Sequence, residues 1–393
     1  MVNNNFSPWP SYSQEEADAV RDILLSNKVN YWTGDVSRKF EKEFSRWSGS
    51  KYSVALSNGT MALDAAFKVL NLNKDDEVIV TSRSYIASVS SIVNSGAKPI
   101  FVDVDLESQN ITPESISSAI TDKTKAIVCV HLAGWPCEMD EIMTLANKFG
   151  LFVIEDCSQA HGASYKGKSV GSIGHIGCWS FCQDKIITTG GEGGMVTTND
   201  ESLWQKIWSY KDHGKSYNAV YQRDHPKGFK WLHESFGTNF RMTEMQAAIG
   251  RIQLKRMLDW HKKRLINANY IWNTAKAFKG LRVPSIPDHI EHAAYKCYVF
   301  VEGGIKLRDK IMTKINEKGV PCFSGTCSEI YLEKAFDNTD FRPKNRLVNA
   351  KYLGETSLMF LVHPTLTDKE IKKTCEVLKE VLSEIYLYEK TSS

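Results

Sequence analysis

From about residue 50 onward, short apolar runs rich in β-branched and aromatic residues alternate with stretches whose apolar residues recur at helical spacing. The runs EVIVTS, KPIFVDV, KAIVCVHL, LFVIEDCS and CWSFC read as buried strands. Between them, TMALDAAFKVLN, SVSSIVNSG, TPESISSAI and EMDEIMTLANKFG read as helices, with Thr112 ahead of a proline as one start and Gly150 as one stop. Strands alternating with helices predict an α/β fold, a mostly parallel central sheet flanked by helices on both faces. Ligands bind beyond the carboxyl ends of the strands in such a sheet, so residues there are the first candidates for chemistry.

A long helix is predicted across TEMQAAIGRIQLKRMLDWHKKRLINANYIWNTAKAF, after which the texture changes to LRVPSIPDHIEHAAYKCYVFVEGG, a helix, GVPCFSG and a last helix, DKEIKKTCEVLKEVLSEIYLYEK. The expected division is a large domain over residues 1–259, including the N-terminal segment, and a smaller C-terminal α+β domain over 260–393. A chain of 393 residues is long enough for both cores. The net charge of +3 is spread along it, and the densest basic stretch, QLKRMLDWHKKRL, alternates with apolar residues like a solvated helix face, so no nucleic-acid partner is expected. No basic-then-apolar leader and no run of about 18 apolar residues is present, so neither export nor membrane insertion is expected. Nine cysteines, an odd number lying partly inside apolar runs, fit a reducing cytoplasm. Cys322 and Cys327 form a lone C-x4-C without a second pair or histidines at ligand spacing, and no metal site is expected.

The stretch WSFCQDKIITTGGEGGM, residues 179–195, holds Lys185 ahead of a glycine-rich run. Glycine is poor material for helix or strand, so something approaches that backbone closely. The run FVIEDCSQAHGA ends in Glu155, Asp156 and Gln159 near a predicted strand terminus, and adjacent parallel strands bring Asp156 and Lys185 to one crevice. An acid and a lysine together suit a pyridine cofactor: the carboxylate keeps the ring nitrogen protonated and the amine forms a Schiff base with an aldehyde. Read singly, a lysine after a strand is a solvated loop residue, and Glu-Asp at a strand end is a cap. In SNGTMALDAAF a small polar turn opens into a helix, so the amides of Gly59, Thr60 and Met61 could meet an anion, or Asn58 or Thr60 could simply cap the helix. Ser180 adds a hydroxyl. Tyr85, in SRSYIAS, either covers a ring face or belongs to the core. Neither GGEGG nor GSIGHIG has the spacing of a nucleotide-phosphate loop, and HExxH and GxSxG are absent.

SNGT-x-AL, VIV-x4-Y-x-AS, GAKP-x-FVDVD, EDCSQAHGA, SF-x3-K-x5-GEGG and G-x-NFRMTEMQAAIG follow one another in this order. The set resembles the DegT/DnrJ/EryC1/StrS family of pyridoxal-phosphate-dependent sugar aminotransferases, of fold type I, over nearly the whole chain. The resemblance implies that Lys185 carries the cofactor and shuttles the proton, that Asp156 holds the pyridinium, and that Gln159 sits by the ring. It implies phosphate binding by Gly59, Thr60 and Ser180, and a homodimer with shared active sites in which Asn239 of GTNFRM reaches the neighbouring subunit's phosphate. Some relatives are dehydratases with histidine for the lysine; Lys185 favours transamination. L-glutamate, or glutamine, is the implied donor, with pyridoxamine 5'-phosphate as the intermediate form and a keto sugar as acceptor.

The form SFCQDKIITTGGEGG, with FSGTCSEIYLEKAF, is similar to the subgroup that makes 8-amino-3,8-dideoxy-manno-octulosonate for lipopolysaccharide from the 8-oxo sugar acid. A nucleotide-linked keto-6-deoxyhexose is the alternative. Lys296 stands where many relatives have histidine, and together with His131 and Arg241 it offers cations to a carboxylate or phosphate, surface placement being its bland reading. Trp135 or Trp32 could form an aromatic shelf or merely pack. Rivals from other classes are a lyase or cysteine desulfurase, with Cys322 or Cys327 as the mobile thiol, and a cofactor-binding regulator, for which no extra helix-turn-helix segment is found.

Overall fold

The computed structural model describes residues 6–325 and 328–391; Cys327 lies outside them. Among the described residues, a central sheet is built from β1 (Tyr52–Leu56), β2 (Glu77–Thr81), β3 (Lys98–Val102), β4 (Thr124–Val130), β5 (Phe152–Asp156), β6 (Ile176–Ser180) and β7 (Gly194–Thr198). Their spatial order is β1-β7-β6-β5-β4-β2-β3. Strands β6, β5, β4, β2 and β3 run parallel, and β7 runs antiparallel to both of its neighbours. This is the mostly parallel α/β sheet that the alternation predicts.

Burial on both faces explains why the strands read as continuous apolar runs. Val78, Val80 and Val128 point into one core with Ala62, Ala66 and Phe67 of the helix Gly59–Val69. Ile79, Ile127 and Val153 point into the opposite core with Met139, Ile142 and Ala146 of the helix Met139–Phe149. Strands β1 and β7 escape the sequence reading, because β1 carries a polar Ser53 and β7 begins on a glycine of the glycine-rich run. Their pairing matters: Gly194 lies opposite Leu56 on one side and Ser180 on the other.

A second, antiparallel sheet has the order Leu281–Arg282, Cys297–Val301, Ser357–Phe360 and Cys322–Phe323. The helices Gly304–Glu317 and Asp368–Thr391 cover it, with Ile311, Ile315, Leu378 and Val381 in their shared core. The helix Glu244–Ala275 links the two sheets and passes unbroken through residue 260. Its start is fixed by a capping box, in which Thr243 Oγ1 accepts from the Gln246 amide at 3.3 Å and Gln246 Oε1 accepts from the Thr243 amide at 2.9 Å. Ala247, Leu254 and Met257 pack on the large sheet's side, whereas Ala268, Ile271 and Trp272 belong to the second core. The N-terminal segment also joins the second unit: Phe6 packs on that core, the Ser7 amide bonds to Glu370, and Thr365 Oγ1 donates to Pro8 O at 2.8 Å.

Candidate active site

A cavity of about 670 Å³ opens at the carboxyl ends of the parallel strands, with Gly59, Thr60, Tyr85, Asp156, Gln159, Ser180 and Lys185 on its wall. One end is the turn between β1 and the helix Gly59–Val69. Asn58 Oδ1 accepts from the Met61 amide at 2.9 Å, so Asn58 is the N-cap and the Met61 amide is already used. The amides of Gly59 and Thr60, at the first two helical positions, have no acceptor within the helix and, with the helix dipole, could hold an anion. The expectation that Met61 shares in it is corrected. The turn is pressed tightly against the sheet. A Cβ on Gly194 would stand 2.2 Å from Asn58 O, and one on Gly193 would collide with Thr189 Oγ1. The glycines after Lys185 thus let β7 lie against the turn.

Asp156 closes β5 and is 5% exposed. Ser88 Oγ donates to its Oδ2 at 2.7 Å, and Ser84 supports Ser88 at the same distance, while the Ser158 amide donates to Oδ1 at 3.1 Å. These donors fix the orientation of the carboxylate at the cavity wall. Sequence reasoning takes Tyr85 from SRSYIAS and passes over Ser88 in the same segment. Gln159 Oε1 accepts from the Ala133 amide at 2.9 Å, which orients the side chain. Tyr85 is 66% exposed at the rim, not a core residue.

Lys185 follows β6 by five residues, and its side chain is 17% exposed. Its main-chain oxygen accepts from Trp9 Nε1 at 2.9 Å, which ties the N-terminal segment to the lysine loop. Its Nζ lies 3.6 Å from Asp184 Oδ1 and 5.3 Å from the centroid of the Tyr295 ring. Asp184 and Tyr295 both line the cavity. Sequence reasoning assigns neither a role, although both lie in motifs it quotes.

The three cations expected at the substrate fare differently. His131 is fully buried; its Nε2 lies 3.0 Å from Glu155 Oε2 and its Nδ1 accepts from the Cys137 amide at 3.0 Å. Both nitrogens are engaged behind the sheet, so His131 is a structural residue. Arg241 is tied to buried Asp212 at 2.7 Å and is not on the cavity wall. Lys296 is half-buried over the Tyr295 ring at 4.8 Å, and burial pushes its amine down to about 8. It is therefore not a plain surface lysine, though it stands behind the wall rather than on it. Asn239 is exposed and outside this cavity's wall, so any contact it makes with a cofactor belongs to another copy.

Trp135 is buried edge-on against His292, and Trp32 packs edge-on against Trp208; both are packing residues. Cys322 is buried and burial pushes its thiol up to about 12, which removes it as a nucleophile. Ligand atoms of His131, Glu155 and Cys157 come within 4.8 Å of one another. The Glu155 oxygens, however, already accept from the Gly171, Ile173 and Gly174 amides at 2.6–2.9 Å.

Taken together, anion-binding amides, a fixed carboxylate and a lysine amine around one cavity suit a flat, phosphorylated carbonyl compound. The protein is similar to an aminotransferase from Psychrobacter cryohalolentis of known structure, at 63% identity and a TM-score of 0.95, over 97% of this chain and 100% of that one. It is 35% identical to the GDP-perosamine synthase of Escherichia coli O157:H7, over 95% of this chain and 98% of that protein. It is 33% identical to the UDP-N-acetyl-3-dehydro-alpha-D-glucosamine 3-aminotransferase of Acidithiobacillus ferrooxidans, over 92% and 95%. With the family's sequence profile matching residues 10–379, the chain belongs to the DegT/DnrJ/EryC1/StrS aminotransferase family.

Proposed function

We propose that this chain is a pyridoxal-phosphate-dependent sugar aminotransferase that moves an amino group from L-glutamate to a nucleotide-linked keto sugar. The observation that carries the reading is the placement of Lys185, Asp156 and the start of the helix Gly59–Val69 around one cavity. Two of the relatives reported above are named for sugars linked to GDP and UDP, which favours the nucleotide-linked acceptor over free octulosonate.

The residues fit the cofactor. The close contact of Gly59 with Ser180 leaves backbone and two hydroxyls, those of Thr60 and Ser180, facing the anion end. Bound there, pyridoxal phosphate supplies a carbonyl that takes up an amino group and a ring that accepts the electron pair left by a departing proton. Asp156, held by Ser88 and the Ser158 amide, keeps the ring nitrogen protonated. Lys185 would hold the cofactor through its amine and, once freed, would take up and return the proton at Nζ. Gln159 would flank the ring and Tyr85 would cover it from the rim. A second copy of the chain completes the site with Asn239, in a homodimer with shared active sites. We further propose that the large and small units meet within the long helix at the 259/260 division, between Met257 in one core and Ala268 in the other.

The test is to incubate the purified enzyme with pyridoxal phosphate, L-glutamate and either a UDP- or GDP-linked keto sugar or 8-oxo-octulosonate, following 2-oxoglutarate and the aminated product by mass spectrometry. Turnover of a nucleotide-linked sugar is the expected result. Amination of the free octulosonate alone would overturn the acceptor, and sulfide release from cysteine without sugar amination would overturn the reaction class. No helix among the described residues is long and apolar enough to cross a membrane.

A further inference from the structure

Asp184 stands beside Lys185 at the cavity wall, and both of its carboxylate oxygens face the site's own groups. Tyr295 Oη donates to Oδ2 at 2.5 Å, and Oδ1 lies 3.6 Å from Lys185 Nζ. Tyr295 is itself fixed: it is 1% exposed, its amide donates to Ala133 O at 3.1 Å, and its carbonyl accepts from Arg264 Nη1 at 3.3 Å. A carboxylate with one oxygen held by a buried phenol cannot swing away, so its other oxygen stays turned toward the ammonium.

The charge around this corner makes the arrangement necessary. Lys296 and Arg264 bring positive charge to it, and burial pushes them down to about 8 and about 9. His161 and His363 are pushed by burial to about 3 and stay neutral. The cavity wall also carries Asp156, bound to Ser88, and Glu192. Burial works against the charged form of Asp184, but Lys185, Tyr295 and Lys296 hold its carboxyl below the usual range.

We propose that Asp184, braced by Tyr295, is a positioning residue that pairs with the Lys185 side chain in the cofactor-free protein and holds its Nζ at the cavity wall. This rests on the role of Lys185 proposed above.

The experiment reads the reactivity of the Lys185 amine in the cofactor-free protein. Trace acetic anhydride labels free amines, and mass spectrometry of the Lys185 peptide gives the labelling rate at one near-neutral pH. Asp184→Asn, which removes the carboxylate that holds Nζ, is expected to label several-fold faster. Tyr295→Phe, which frees the carboxylate, speeds labelling less, and Asp184→Glu restores the wild-type rate. An unchanged rate in a folded Asp184→Asn protein overturns the proposal. If that variant does not fold, an unchanged rate in Tyr295→Phe does so. Failure of the parent reading looks different: borohydride reduction of the wild-type protein with pyridoxal phosphate then leaves no mark on Lys185, whatever the labelling rates show.

Discussion

Gly59 and Ser180 approach so closely that a Cβ built on the glycine would stand 2.5 Å from the serine's own Cβ. The contact joins the start of a helix to the end of β6 and so forms the anion end of the cavity. No rotamer change relieves it, because the serine Cβ is fixed by its backbone. Gly59→Ala is expected to cost about 1–3 kcal/mol of stability and to weaken pyridoxal phosphate binding. Adding Ser180→Gly recovers part of the stability. Thermal unfolding and a cofactor titration check both; a variant that melts and binds like the wild type would show that the turn is not the cradle.

Asp156 and Ser88 separate the carboxylate's charge from its orientation. Asp156→Asn removes the charge proposed to face the ring nitrogen and is expected to lower kcat by roughly 10²-fold or more. Ser88→Ala leaves the charge but removes the donor at 2.7 Å, so a smaller fall is expected, within about tenfold. Equal losses in the two variants would mean that orientation, not charge, matters. Steady-state rates with saturating cofactor decide this.

Glu155 gives a pH prediction remote from the chemistry. Burial opposes its ionisation, yet His131 and the amides of Gly171 and Gly174 outweigh burial and hold the carboxyl below its usual range. With the folded value below the unfolded one, the stabilisation is complete above the unfolded value of about 4.3 and is lost as pH falls through the folded value. Glu155→Gln replaces one accepting oxygen with an NH2 donor that faces the donors around it and is expected to cost about 3 kcal/mol or more at pH 7. The gap between wild type and variant closes as pH drops below about 4. Denaturant melts at several pH values test it, and a gap independent of pH would contradict it.

Asn239 offers a test by mixing. If it serves the neighbouring subunit's cavity, a hybrid of Asn239→Ala and Lys185→Ala chains holds one intact site and one doubly altered site. Exchange of the two inactive variants in equal amounts then restores about a quarter of wild-type activity per chain. No recovery after exchange verified by native mass spectrometry would argue against a shared site.

The sequence made legible what is local. Apolar runs mark the parallel strands, the SNGT turn marks a helix start, and Asp156 and Lys185 each end or follow a strand. What stayed hidden depends on distant pairing. Tyr295 and Asp184 are 111 positions apart, and no periodicity joins them. His131 reads as a free cation until Glu155, 24 positions away, is seen to bind it. The insertion of β7 between β1 and β6 gives the glycine-rich run its use, because Gly194 must lie against Asn58 O. The division at residue 260 reads as a change of texture, yet the chain crosses it as one helix, since a single amphipathic element can serve two cores at its two ends.

The most direct measurement is to add pyridoxal phosphate to the purified protein, reduce with borohydride before and after L-glutamate, and map the labelled peptide. The expected result is a cofactor mass on Lys185 that glutamate abolishes, because the donor's amine replaces the lysine's. A label on another lysine, or none on Lys185 with cofactor in excess, would contradict the assignment of Lys185 on which the proposed reaction depends.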